Sequence, residues 1–148
     1  MTPDSAPSAG RIVVGIDGSP PSLAALEWAA NQAALTGGTL DVVMTWEWPS
    51  SLGWAMPVPD EFDPEGDMRT LLDTAIASVR AAHPGVAVEG RLIGGHPSPV
   101  LVEASKDAAL LVVGSRGHGE FVGMVLGSVS GFCVAHAHSP VLVHRTPS

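Results

Sequence analysis

The chain of 148 residues is 45% hydrophobic and 15% charged, which suits one globular domain with a buried core and leaves little room for two. Its 7 Lys and Arg against 15 Asp and Glu give a formal net charge of −8, and the absence of a basic stripe argues against nucleic-acid binding. The single cysteine, Cys133, excludes an intrachain disulfide and a cysteine-based zinc site, and it favours a reducing compartment such as the cytoplasm.

The amino-terminal part of the chain predicts a leader, two strands and a helix. Residues 1–9 are rich in Ser, Pro and Ala, and we interpret them as a flexible leader because they lack the pattern of a signal peptide. Residues 11–16 and 40–46 are short, β-branched and apolar, as in strands covered on both faces. Between them, Ser19 and two prolines begin a segment of helical periodicity that ends at a pair of glycines.

An aromatic loop and a second helix come next. The loop at positions 46–62 contains Trp48, Trp54, Phe62 and three prolines. Its aromatic residues either cover the sheet edge or form a lid or a docking patch, since exposed aromatic clusters often mark interaction sites. Asp63 as cap and a following proline then predict a helix with one apolar stripe up to residue 82.

The remainder of the chain continues the alternation of strands and helices. It predicts a strand at 86–93, a short helix opened by Ser98 and Pro99, a strand at 108–113, a glycine-punctuated loop at 114–126, a helix at 127–138 and a strand at 140–144. Connections of this length between buried strands indicate parallel pairing with right-handed crossovers. The sequence therefore predicts a doubly wound α/β sandwich that occupies residues 10–148 as one domain.

One segment without charge could be mistaken for a membrane span. Positions 121–144 contain no Asp, Glu, Lys or Arg. Several glycines, serines and histidines, together with Pro140, make the segment too polar for a span of about 20 apolar residues. We therefore expect no membrane partner.

Two segments at predicted strand ends have the composition of a ligand site. In open parallel sheets, ligands bind at the carboxyl ends of strands where the strand order reverses. Asp17 leaves the first strand, where it serves either as a helix cap or as a ligand contact. Gly114 and Gly117 follow the fourth strand, and as glycines they let the backbone approach a ligand closely.

The start of the last helix adds the features of a phosphate site. Gly127, Ser128 and Val129 lie where the first backbone amides of a helix have no carbonyl partner within it, so these amides suit a phosphate. Ser128 and Ser130 add hydroxyl groups that we expect to donate to the same ligand. Because amides supply much of the attraction in such sites, the low lysine count is no objection.

Several other site classes lack their sequence signatures. No Gly-x-x-x-x-Gly-Lys-Ser/Thr and no Gly-x-Gly-x-x-Gly after a strand occurs, which excludes a P-loop and a dinucleotide fingerprint. No Gly-x-Ser-x-Gly elbow anchors a hydrolase triad. His136 and His138 would point about 200° apart on a helix, so we predict no metal site there.

The glycine spacing resembles a known family. Gly114-x2-Gly117-x9-Gly127-Ser128 matches the Gly-2x-Gly-9x-Gly-Ser/Thr signature of the ATP-binding branch of the universal stress protein family. The opening Ile-Val-Val-Gly-Ile-Asp-Gly-Ser and the closing Pro-Val-Leu-Val are also similar to that family, so the resemblance covers nearly the whole chain. It implies a sheet of order 3-2-1-4-5, ATP in a cleft between the first and fourth strands, and a universal stress protein domain over 10–148.

The resemblance also implies roles for individual residues. Gly15 and Ile16 would line the adenine side, Trp46 would offer backbone groups to the adenine edge, and Asp17 would lie by the ribose and phosphates. The expected ribose and phosphate contacts are Gly114, Arg116, Gly117, Gly127, Ser128, Val129 and Ser130. A divalent cation, Mg²⁺ or Mn²⁺, would accompany the ATP, and a homodimer would form largely along the last strand, through Val141, Leu142 and Val143.

These observations favour a cytoplasmic ATP-binding module that responds to or signals stress. Two alternatives use the same cleft: a slow ATP hydrolase or self-phosphorylating protein, and a protein that binds a cyclic nucleotide. A third alternative is an interaction protein that works without nucleotide. No dedicated catalytic residue is evident, so the sequence predicts a binding module rather than an enzyme.

Overall fold

The structure, a computed structural model, describes residues 10–47, 63–115 and 126–145. Within these ranges the strands are β1 (Arg11–Ile16), β2 (Thr39–Trp46), β3 (Ala87–Gly94), β4 (Leu110–Gly114) and β5 (Val141–His144). The helices are α1 (Pro20–Thr36), α2 (Pro64–Ala82), α3 (Pro97–Ala104) and α4 (Ser128–His136). All strand pairs are parallel and the order is β3-β2-β1-β4-β5, which confirms the expected fold class and sheet order.

The predicted elements agree with the observed ones to within about two residues at most ends. Asp63 caps α2 as expected, because its Oδ1 accepts a hydrogen bond from the Gly66 amide at 3.0 Å. The start of α3 differs, since His96 rather than Ser98 is the cap: its Nδ1 accepts from the Ser98 amide at 3.2 Å. The leader at 1–9 and the aromatic residues at 48–62 lie outside the described residues.

The core consists of two layers on opposite faces of the sheet. On one face, β1, β2 and β4 pack against α1 and α2, with Val14, Val42 and Leu72 fully buried. On the other face the alternate residues of the same strands meet α3 and α4, with Leu111 and Cys133 at the centre. The central strands are apolar on both sides because each face is covered by helices, as expected of a parallel sheet.

A buried carboxylate on β2 links the three neighbouring strands β1, β2 and β3. Asp41 on β2 accepts from Arg11 Nη1 of β1 at 2.9 Å and from Arg91 Nη2 of β3 at 2.8 Å. Arg11 Nη2 also donates to the carbonyl oxygens of Ala104 and Lys106 at the end of α3. This network holds α3 against the sheet, which matters because the other end of α3 borders the cavity described next.

None of the helices in the described parts of the chain is both long enough and apolar enough to cross a bilayer. Helix α2 is the longest of them, and both its first turn and its last turn carry charged residues.

Candidate functional site

A cavity opens at the carboxyl ends of β1, β2 and β4, beside the first turns of α3 and α4. Strand β1 lies between β2 and β4, so this is the point where the chain changes direction across the sheet. Ligands bind at such switch points in open α/β sheets, since the loops from neighbouring strands diverge there. The cavity is lined by Gly15, Ile16, Asp17, Ser22, Val43, Thr45, Pro97, Leu101, Val113, Gly114, Gly127, Val129 and Ser130.

The three segments singled out in the sequence meet at this cavity. The end of β1 contributes Gly15, Ile16 and Asp17, and the end of β4 contributes Gly114. The start of α4 contributes the residues Gly127, Val129 and Ser130. Trp46 and Ser128 are not among the lining residues, and Arg116 and Gly117 lie outside the described part of the chain.

Asp17 organises the turn between β1 and α1. Its Oδ1 accepts hydrogen bonds from the Ser19 amide at 2.9 Å and from the Ser19 hydroxyl at 2.5 Å. Ser19 in turn caps α1, where its Oγ accepts from the Ser22 amide. Gly18 has a φ of +85°, which a side chain would strain. Asp17 is therefore a turn-forming residue that also faces the cavity.

The floor of the cavity is apolar. Val43, Leu101 and Val113 are each less than 5% exposed and come from β2, α3 and β4. A methyl group at Gly15 would lie 2.6 Å from Leu101 Cδ1, so a glycine on β1 is what lets α3 pack this closely. An apolar floor under a polar rim is the usual composition of a small-molecule site.

Helix α4 is tied to the end of β4 by hydrogen bonds at its first turn. The Gly127 amide, which we expected to serve a phosphate, donates instead to the Ser115 carbonyl oxygen at 2.6 Å. The Ser130 hydroxyl, expected as a phosphate donor, also donates to the Ser115 carbonyl oxygen, at 2.8 Å, and approaches that of Gly127 at 3.2 Å. Both groups, which the sequence predicted as phosphate contacts, thus have the Ser115 carbonyl oxygen as a hydrogen-bond partner in the structure.

Trp46 is the last residue of β2 and pairs with Gly94 of β3. Its carbonyl oxygen accepts a hydrogen bond from the Gly95 amide at 2.9 Å, and its indole ring packs next to Gly94. The structure therefore does not bring Trp46 together with the other predicted contacts. Thr45, one residue earlier, lines the cavity in its place.

The described lining is almost free of charge, since Asp17 is its one ionisable side chain. No group of three or more His, Cys, Asp or Glu side chains able to hold a metal ion occurs within the described residues. Cys133 is fully buried behind the cavity floor, and burial raises the pKa of its thiol to about 11. The thiol is therefore a packing group at neutral pH rather than a nucleophile.

Several lining residues had no signal in the sequence. Ser22, Thr45, Pro97 and Leu101 come from elements other than the two glycine-containing strand ends. Their positions follow from strand order and helix packing, which depend on residues far away in the chain. The sheet order brings the end of β2 to the cavity beside β1 and β4, and the packing of α3 on the sheet adds Pro97 and Leu101.

The open parallel sheet with a cavity at its switch point defines a doubly wound α/β protein. Comparison with known families makes this more specific. The sequence profile of the Universal stress protein family matches residues 9–145, and the chain belongs to this family.

Curated relatives agree with this assignment. Universal stress protein Rv1996 of Mycobacterium tuberculosis is 36% identical, across 95% of this chain and 45% of its own length. Universal stress protein Rv2623 of the same species is 38% identical, across 89% of this chain and 46% of its own. The chain thus spans about half the length of the curated relatives it matches.

Solved structures share the fold. The crystal structure of a universal stress protein in complex with cAMP is 28% identical, has a TM-score of 0.72, and covers 94% of this chain and 98% of its own. Hypothetical protein MJ0577 has a TM-score of 0.75 at 18% identity over 95% and 99% of the two chains. A universal stress protein from Archaeoglobus fulgidus in complex with dAMP has a TM-score of 0.65 at 22% identity over 91% and 97%.

Proposed function

We propose that this universal stress protein is a cytoplasmic, ATP-binding regulatory module of the stress response, and that the switch-point cavity is its nucleotide site. One observation carries the proposal: the ends of β1 and β4 and the start of α4, separated in sequence, meet at one cavity. The complexes of related folds with cAMP and dAMP support an adenine nucleotide as the ligand. The single buried cysteine supports a reducing compartment.

The adenine base fits the apolar part of the cavity best. Val43, Leu101 and Val113 offer an apolar, nearly fully buried surface next to Gly15. Thr45 at the rim supplies a hydroxyl group that can hydrogen-bond to a base edge or a ribose. Burial of the base would then provide affinity while a few polar groups fix its orientation.

The phosphates fit the first turn of α4. Val129 and Ser130 line the cavity at positions where the helix itself offers no carbonyl to their amides. The positive end of the helix dipole adds to the attraction for an anion. Gly114, Arg116, Gly117 and Ser128 complete the proposed phosphate contacts on the strength of the glycine spacing.

A divalent cation, Mg²⁺ or Mn²⁺, would enter with the ATP. The described lining supplies one carboxylate, Asp17, whose Oδ1 already bonds to Ser19. Such a site fits a cation held chiefly by phosphate oxygens and water, which is how Mg²⁺ is commonly bound. We therefore expect cation binding to depend on nucleotide.

Cyclic AMP is a second candidate ligand. The solved universal stress protein in complex with cAMP is 28% identical to this chain over nearly its full length. Adenine and ribose contacts would be shared between the two ligands, while a cyclic phosphate needs less of the α4 turn than a triphosphate. The ratio of the dissociation constants for ATP and cAMP decides between these two ligands.

We also propose a homodimer that pairs through β5. This strand ends the sheet order, and its neighbour on one side is β4. The carbonyl oxygens of Pro140 and His144 accept from Leu111 and Ser115, so by alternation the backbone groups of Val141 and Val143 point to the open edge. An open edge of this kind is a template for pairing with a second strand.

The nucleotide proposal is tested by calorimetric titration of purified protein with MgATP, MgADP, AMP and cAMP. The informative variant is Gly127→Ala, which adds a methyl group to a buried residue lining the cavity. The matched control is Gly131→Ala within α4, the helix that Gly127 precedes, where an added methyl group meets no atom within 4 Å. We expect saturable ATP binding to the wild-type and Gly131→Ala proteins, and binding at least about tenfold weaker to Gly127→Ala.

Two results would contradict the proposal. Absence of saturable binding for every adenine nucleotide would exclude the ligand class. Equal ATP affinity of the Gly127→Ala and Gly131→Ala proteins would place the ligand elsewhere. Tighter binding of cAMP than of ATP would keep the site and replace the ligand.

A further inference from the structure

Ser115, which the glycine signature does not include, is the junction between three elements at the proposed nucleotide site. Its amide donates to the His144 carbonyl oxygen of β5 at 2.9 Å. Its carbonyl oxygen accepts from the Gly127 amide at 2.6 Å and from the Ser130 hydroxyl at 2.8 Å. Ser115 is 6% exposed and Ser130 is 2% exposed, so these bonds lie in the protein interior.

The Ser130 hydroxyl has a single proton, and its acceptors determine where that proton goes. Both neighbouring oxygens, those of Ser115 and Gly127, are backbone carbonyls, which only accept hydrogen bonds. The proton is therefore directed into the protein. A phosphate also only accepts, and the lone pairs that remain on the Ser130 Oγ would repel it. The hydroxyl thus has the wrong polarity for a phosphate ligand in this arrangement.

The same hydrogen bonds connect the end of β4 with the start of α4. Residue 115 directly follows β4 and residue 127 directly precedes α4, so the Gly127–Ser115 bond sets the separation of the strand end and the helix start. The bond from Ser115 to His144 ties this junction to β5. We refer to the hydrogen bonds of Ser115 with Gly127, Ser130 and His144 as the Ser115 clasp.

We propose that the Ser130 side chain is a positioning group: through the Ser115 clasp it holds the amides of the first turn of α4 at the nucleotide site, without itself binding phosphate. The proposal rests on the nucleotide-binding function proposed above. It separates the Ser130 amide, a candidate phosphate donor, from the Ser130 hydroxyl, which acts on protein carbonyls. It also adds Ser115, through its backbone, to the residues on which binding depends.

The test compares Ser130→Thr with Ser130→Val, two side chains of nearly equal shape of which only threonine keeps the hydroxyl. Two quantities are measured: the ATP dissociation constant by calorimetry, and the exchange rate of the Gly127 amide hydrogen by NMR in nucleotide-free protein. We expect the Thr protein to bind ATP about tenfold more tightly than the Val protein, as loss of one buried hydrogen bond implies. We also expect the Gly127 amide to exchange about tenfold faster in the Val protein.

The exchange rate separates a positioning role from direct binding. A hydroxyl that binds phosphate would weaken ATP binding in the Val protein and leave Gly127 exchange in nucleotide-free protein unchanged, which would overturn the proposal. Equal ATP affinity of the Thr and Val proteins, with saturable binding to wild type, would overturn it too. If the wild-type protein binds no adenine nucleotide, the proposed function fails first and the positioning role fails with it. Should the Val protein not fold, Ser130→Ala against wild type gives the same comparison in a smaller side chain.

Discussion

Asp17 shows how one side chain can serve the fold and the site together. Its hydrogen bonds to Ser19 fix the turn that starts α1, which is the structural role that an Asp after a strand commonly has. The same residue lines the cavity, where the sequence predicted a ligand contact. The two roles are compatible because a turn fixed in this way presents the carboxylate at a defined position on the cavity rim.

Sequence reasoning located residues at the site better than it described their bonds. The glycine spacing correctly predicted that Gly114 and Gly127 would meet near Asp17, because parallel strand ends lie on one edge of the sheet. It could not predict that Ser115 would take the Gly127 amide, since that bond depends on the relative placement of β4 and α4. Thr45 lines the cavity and the neighbouring Trp46 does not, and successive side chains of a strand point to opposite faces of the sheet.

Cys133 allows a prediction about chemical reactivity at the level of a single residue. The side chain is fully buried, and removal from water raises the pKa of its thiol to about 11. In native protein at pH 8 we expect a disulfide reagent such as dithionitrobenzoate to react at least about a hundredfold more slowly than in urea-unfolded protein. Equal labelling rates of native and unfolded protein would contradict the buried position.

The raised pKa of Cys133 also has a consequence for stability. An unfolded thiol ionises near pH 8.5, whereas the folded one stays protonated to about pH 11. Its contribution to stability is therefore complete below about pH 8.5 and declines as pH rises toward 11, because the unfolded state loses the proton first. Cys133→Ala removes this pH dependence, and comparison of urea midpoints at pH 8 and pH 10 for both proteins measures it.

At the scale of elements, residues outside the apolar periodicity of the helices determine where these helices pack. Helix α2 approaches β3 closely because Gly90 has no side chain: a methyl group there would lie 1.9 Å from Ile76 Cδ1 and 3.5 Å from Leu72 Cδ1. Helix α3 is held at its carboxyl end by Arg11, which Asp41 orients. Apolar periodicity predicted that these helices exist, while the glycine and the ion pair determine where they pack.

Gly90→Ala tests this packing. The added methyl group forces the Ile76 side chain to move within the core, so we expect a loss of about 1–3 kcal/mol in the free energy of unfolding. The matched control is Gly85→Ala in the turn after α2, where no atom lies within 4 Å of the added carbon and little change is expected. Urea denaturation measures both. Unfolding of the two variants at the same urea concentration would contradict the proposed tight contact.

For the whole molecule, the sequence predicted the architecture well because the signals for strands, helix starts and helix ends agreed with one another. Apolar β-branched runs, proline-capped helix starts and glycine stops all indicated the alternation of strands and helices that the structure shows. The alternation of strands and helices by itself predicted a parallel sheet. The strand order was predicted from the family resemblance, and the structure confirms it. The curated relatives are about twice as long as this chain, so its assembly is a separate question.

The proposed β5 pairing gives a prediction for the oligomeric state. Leu142 packs against the core and is a poor probe, but the Val143 amide points to the open edge. Val143→Pro removes that donor without removing a bond to β4, and an edge strand tolerates it. We expect the Pro variant to be monomeric by light scattering. Val143→Ala, which keeps the amide and removes more of the side chain, serves as control and should remain a dimer.

A dimer that persists in the Val143→Pro protein at low micromolar concentration would contradict pairing along β5. A monomeric wild-type protein would contradict the dimer itself.

The central claim is that the switch-point cavity between β1 and β4 binds one adenine nucleotide per chain. Native mass spectrometry of the wild-type protein during titration with MgATP measures this stoichiometry directly. We predict a single added nucleotide mass that saturates at one per chain and is displaced by excess AMP or cAMP. A spectrum that stays at the mass of the protein alone up to millimolar MgATP would contradict the claim.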